Sequence, residues 1–173
     1  RDLDAENGTA ESITTIQLNA AGKPASEGNF GNWYYSADSG CWLYNGVFAL
    51  QPSSEAEAES ALQAKLYISK DAEFNSGTVG GKTSNNGTIS NGNFQGKMYN
   101  SGTISGGIFK LTVTVEAISQ PTQIKGGTFE DGMEIYPDMY STTITDGLFD
   151  GKVSAAEGYS GTLSISGGYF VNK

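Results

Sequence analysis

The stretch GTISNGNFQGKMYNSGTISGGIF, residues 87–109, carries the same phrase twice. Its kernel, Ile-x-x-Gly-x-Phe, occurs at Ile89-Gly92-Phe94, Ile104-Gly107-Phe109, Ile124-Gly127-Phe129, Ile144-Gly147-Phe149 and Ile165-Gly168-Phe170. A further copy with leucine in place of isoleucine stands upstream at Leu43-Gly46-Phe48. From Phe94 onward the phenylalanines are 15, 20, 20 and 21 residues apart. Four residues after Phe94, Phe109, Phe129 and Phe149 comes another apolar side chain: Met98, Val113, Met133 and Val153. A period near 20 with apolar residues at fixed stations is what stacked coils require. One turn cannot bury its own apolar side, but superposed turns share a core.

Isoleucine, phenylalanine and the Met/Val position therefore read as three inward columns on three walls. Glycine two places before phenylalanine suits a corner with positive φ. The residue before that glycine is Asn45, Asn91, Gly106, Gly126, Asp146 or Gly167, all types that tolerate the left-handed region. The pattern thus predicts two left-handed positions per corner. A helix is excluded, because each glycine in its interior would cost about 1 kcal/mol. The chain has 24 glycines against 4 prolines, which suits a folded, turn-rich β protein. The expected fold is all-β: a right-handed parallel β-helix solenoid whose turns are too long for the left-handed hexapeptide coil. The 15-residue interval predicts a turn with one corner clipped.

At 173 residues the chain suits one domain. Residues 1–12 are polar and read as a flexible N-terminal segment, and 13–173 as a single β-helix domain. Within it, 13–75 form an N-terminal cap region and 76–173 the repeat turns. PSSEAEAESALQAKL (52–66) predicts a short capping helix over about 55–65: Ser54 and Glu57 form a capping box, and Ala58, Ala61, Leu62 and Leu66 share a face. SITTIQL (12–18) and NWYYSADSGCWLYNGVFAL (32–50) read as strands, the latter with a hairpin turn at Asp38-Ser39-Gly40. The C-terminal SISGGYFVNK is a full repeat with no cap after it, so the coil is expected to continue in a longer parent chain.

A net charge of −9 disfavours nucleic acid and anionic membranes, both of which need a dense positive field. No apolar run approaches the length of a membrane span, so no membrane insertion is expected. Histidine is absent, and Arg1 is the only arginine. Ser-His and Cys-His nucleophilic machinery is excluded by that composition. The lone Cys41 rules out an internal disulfide and reads as a small buried thiol.

The series TISGGIF, QIKGGTF, TITDGLF and SISGGYF, together with NWYYSADSGCWLYNGVF, resembles the pectate-lyase-like right-handed β-helix repeat proteins of gut-dwelling bacteria. The resemblance covers roughly residues 30–173. It implies an extracellular or cell-surface location and a role as adhesin, glycan binder or stalk segment, with glycans or host and cell-surface proteins as partners. The enzymes of such folds use an arginine or lysine base beside calcium-binding aspartates, or aspartates with a histidine. With no histidine, and arginine only at residue 1, a non-enzymatic module is the expectation. The alternative is a carbohydrate-binding module or a polysaccharide-active enzyme.

Two candidate sites follow. Trp33, Tyr34, Tyr35, Trp42 and Tyr44 are expected either to form an aromatic platform on which sugar rings stack or to cover the N-terminal end of the coil. Asp146 with Asp150, or Glu130, Asp131 and Glu134 one turn earlier, are the carboxylates available for acid–base work. Glu130 and Asp150 each follow a phenylalanine by one place and should stack about 4.8 Å apart. Glu130, Asp131, Asp146 and Asp150 therefore form either a calcium site or a solvated acidic corner. Apart from calcium, no cofactor is expected. The residues flanking each repeat isoleucine, such as Thr88/Ser90 and Thr103/Ser105, should stand outward as hydroxyl ladders.

Overall fold

The computed structural model of the chain describes residues 13–23, 28–30, 33–36, 40–43, 46–52, 61–63 and 65–171. Among these there is no helix, and the strands form three sheets of eight, six and nine. From Gly46–Pro52 onward the chain visits the sheets in turn, and each strand pairs in parallel with the strand one coil later. This is the arrangement of a parallel β-helix. Among the described residues only the three strands Gly28–Phe30, Trp33–Ser36 and Gly40–Leu43 pair antiparallel, at the start of the nine-stranded sheet. The last two pair as the expected hairpin requires, while Asp38 and Ser39 of its expected turn lie outside the described residues.

The repeat stacks like on like. In the first sheet Ile89, Ile104, Ile124, Ile144 and Ile165 are successive register partners. In the second, Phe94, Phe109, Phe129, Phe149 and Phe170 follow one another. The third aligns Met98, Val113, Met133 and Val153. From Phe94 to Phe170 the rings lie face to face, with centroids 5.1, 5.0, 4.8 and 4.6 Å apart and planes within 7° of parallel. Strand spacing in a sheet is about 4.8 Å, so the backbone ladder itself sets the rings at stacking distance.

Two expectations are corrected. The upstream copy lies one wall out of phase. Leu43 pairs with Ile68 in the third sheet, and Phe48 pairs with Phe74, which pairs with Ile89 in the first. Leu-x-x-Gly-x-Phe describes any strand, corner and strand, so the motif alone does not identify the wall. Phe48 and Phe74 nevertheless extend the ring column, with centroid distances of 4.9 Å to each other and 5.1 Å from Phe74 to Phe94. The wall opposite compensates for their bulk: in the Phe74 turn the phenylalanine station holds Val79. The second correction concerns the corner. At the Gly106-Gly107, Gly126-Gly127 and Gly167-Gly168 corners only the second glycine is left-handed, as at Gly127 with φ 110°. Where, as here, its predecessor is also glycine, a Cβ lacks room: one on Gly126 would stand 2.5 Å from the Ser105 carbonyl oxygen of the turn before.

The unequal periods arise at one corner. From the third sheet back to the first, the 15-residue turns pass directly from Asn85 to Ile89 and from Asn100 to Ile104, whereas longer turns insert a loop. This is the clipped corner. Asn85 and Asn100 are buried there, one above the other. The amide of Asn85 donates to Asn100 Oδ1 at 2.8 Å. Asn85 Oδ1 accepts the Gly87 N–H at 3.0 Å, and Asn100 Oδ1 the Gly102 N–H at 3.3 Å. In the wider turns the same inward station is Val115 and then Ile135. The N–H two places on needs no side chain there: Ala117 donates to the Tyr136 carbonyl, and residue 137 is a proline. From the first wide loop Gln120 reaches back to the Asn86 and Ser101 carbonyls, at 2.8 and 2.7 Å. Thr122 and Thr142, buried at the far end of successive loops, share a hydrogen bond of 2.7 Å.

The pairing runs back beyond residue 76, as far as Ile13–Leu18 against Gly46–Pro52. Residues 1–12, and 53–60 and 64 of the expected helix, lie outside the described residues. At the end of that segment Leu62 is not helical. It is buried in a parallel bridge to Val79, adding its backbone to the edge of the second sheet. At the other end, Ile165 is 48% exposed where the stacked isoleucines before it are fully buried.

Candidate functional site

Strands of the third sheet alternate inward and outward, as period-two geometry demands. Buried Met98, Val113 and Met133 therefore place Tyr99, Thr114 and Glu134 on the outer face, and register adds Ser154 to that line. Extended toward the N-terminus, the line passes through Ser84 to Tyr67, whose strand pairs in turn with Gly40–Leu43, Trp42 being the register partner of Tyr67. The corner leading into this sheet contributes a second line: Lys97, Thr112 and Lys152, with Leu111 and Asp131 beside them. Between the two lines lies an open groove of about 530 Å³, lined by all of these from Lys97 to Ser154. Its size falls within the range of small-ligand sites.

The groove walls are held in place. Asp131 Oδ2 accepts from the Thr112 hydroxyl at 2.8 Å and from the Thr112 N–H at 3.2 Å. Lys82 sits over the Tyr99 ring with Nζ 4.5 Å from its centroid, a cation–π contact that supports the phenol from one side. Neither Lys97 nor Lys152 has a carboxylate partner among the described residues, where the ion pair seen is Lys110–Glu130 at 2.6 Å. Glu134 has the Tyr136 hydroxyl at 3.4 Å. The negative charge of Glu134 holds the Tyr136 phenol above its ordinary pKa, with desolvation adding to the effect. The groove thus presents hydroxyls, one aromatic ring, an exposed leucine, carboxylates and ammonium groups to a ligand.

The sequence-predicted sites fare unevenly. Trp33, Tyr34, Tyr35 and Trp42 lie on the antiparallel pair, with Tyr34 opposite Trp42 and Tyr35 opposite Cys41. Tyr44 lies outside the described residues. In the acidic set, Glu130 and Asp150 occupy equivalent places one coil apart, as expected. The Glu130 carboxylate, however, turns to Lys110, while Asp131 binds Thr112 and Asp146 Oδ1 accepts the Gly147 N–H at 2.8 Å. Among the described residues no group of three or more carboxylate, thiol or imidazole side chains is placed to hold a metal ion. The hydroxyl ladder on the first sheet has the anticipated register, Thr88, Thr103, Gln123, Thr143 and Ser164. Sequence reasoning missed the groove itself. Its signal was the residue five places after each repeat phenylalanine, namely Tyr99, Thr114, Glu134 and Ser154. No family model, curated protein or solved structure matches the chain.

Proposed function

We propose that the chain is a non-enzymatic module of a secreted or cell-surface protein, a right-handed, pectate-lyase-like β-helix of a gut bacterium acting as an adhesin-like binding or spacer segment. Crossovers between parallel strands of one sheet are right-handed in about 98% of cases, which supports the hand. One observation carries the reading: the repeat isoleucines and phenylalanines stack in columns from coil to coil, so stability is supplied by the stack and the outer faces are free to bind. Beads coated with the chain should adhere to mucin or host-cell glycans and leave them intact. Release of reducing ends or of unsaturated sugars would refute the non-enzymatic reading.

The second reading, a carbohydrate-binding module or polysaccharide-active enzyme built on the aromatics at 33–44, draws support from the pairing of Trp42 with Tyr67 on the groove-bearing sheet. In a glycan array, loss of signal in Trp33→Ala and Trp42→Ala would favour it. Turnover of a polysaccharide that is abolished by Asp146→Asn or Asp150→Asn would establish the enzyme.

A further inference from the structure

We infer that the groove on the outer face of the third sheet binds a neutral linear oligosaccharide segment about three sugars long. This rests on the binding-module reading above and gives it a ligand class and a place. The groove crosses four successive coils, at Tyr99, Thr114, Glu134 and Ser154. Three strand spacings of about 4.8 Å make it about 14 Å long, and each spacing is close to the advance of one pyranose in an extended chain. A β-helix therefore offers one set of side chains per sugar.

The lining has the mixture that sugars require. The Tyr99 ring and the exposed Leu111 supply apolar surface for the C–H face of a pyranose. Thr114, Ser154 and the Glu134 carboxylate supply acceptors and donors for hydroxyls. Lys97 and Lys152, three coils apart and without carboxylate partners among the described residues, bring ammonium donors to the two ends. The Asp131–Thr112 bonds and the Lys82–Tyr99 contact fix the walls before a ligand arrives, which lowers the ordering cost of binding.

Other ligands fit less well. Glu134 and Asp131 stand between the two lysines, and the chain carries net charge −9, so a polyanion meets repulsion at the middle of the groove. A peptide gains little, because the groove lies on a sheet face where backbone groups are already paired, and strand addition needs an open edge.

The test is calorimetric and NMR titration of the full chain with β-1,4-linked glucose, mannose and N-acetylglucosamine oligomers of two to six units, and with trigalacturonate. Affinity for at least one neutral series should rise steeply from two units to three and level off beyond. Tyr99→Ala and Glu134→Gln should each weaken it at least ten-fold with an unchanged melting temperature, while Lys125→Ala on the first sheet should not. The inference is overturned if no neutral oligomer binds at millimolar concentration, if trigalacturonate binds best, or if a peptide library binds and the oligomers do not. It is overturned equally if sugar binding survives Tyr99→Ala and disappears in Trp42→Ala. That last result leaves the binding-module reading standing. Cleavage of an oligomer that binds in the groove removes the non-enzymatic reading and leaves the groove.

Discussion

Replacing Asn100 by alanine tests why two coils are five residues shorter than their successors. The side chain is buried, and its Oδ1 accepts the Gly102 N–H and the Asn85 amide. Gly102 N–H has no other acceptor among the described residues, whereas its carbonyl keeps the bond from Gln123 N–H. An orphaned buried N–H costs about 1–3 kcal/mol, and the lost Asn85–Asn100 bond about 1 kcal/mol more. The expected loss is about 2–4 kcal/mol, or roughly 5–15 °C in melting temperature for a chain of this length. Urea unfolding gives the free energy, and hydrogen exchange at the Gly102 amide locates it. The reciprocal change, Val115→Asn, should also destabilise, because Ala117 N–H is already bonded to Tyr136 and leaves the new amide no donor to serve. A loss below about 0.5 kcal/mol in Asn100→Ala, with Gly102 protection unchanged, would refute the claim that the asparagine pair replaces the missing loop.

Phe129→Ala should cost about 3–5 kcal/mol, since the ring is fully buried with neighbours at 5.0 and 4.8 Å. Phe170→Ala, half-buried with one ring neighbour among the described residues, should cost clearly less in the same urea titration. Thr122→Val should lose about 1 kcal/mol by stranding the Thr142 hydroxyl, and adding Thr142→Val should recover most of it in a double-mutant cycle. Gln120→Leu should speed exchange around the two tight corners without changing the far-ultraviolet spectrum, because only the bonds to the Asn86 and Ser101 carbonyls are removed. In ultraviolet titration the Tyr136 phenol should ionise above the ordinary tyrosine range, and Glu134→Gln should lower it. The raised folded value means that this group's contribution to stability is complete below the unfolded pKa and is lost as pH rises through the folded one.

The amino-acid order alone determined which residues face inward. Ile104, Phe109 and Val113 recur at stations that only a stacked coil can use together, and Gly107 at a corner where φ is positive. The 15-residue spacing likewise announced a shortened corner. Local pattern reports the direction of a side chain because strand alternation and glycine geometry are local properties. The identity of a wall is not local: Phe48 satisfies the motif yet lies beneath Phe74 and Ile89, since register depends on which strand the preceding coil offers. The groove is a still longer-range object. Lys97, Thr112, Asp131 and Lys152 belong to four coils of unequal length, and only the pairing of Met98, Val113, Met133 and Val153 brings them to one face. Burial of the columns drives that pairing, so the core was written in the repeat and the binding surface emerged from the stack.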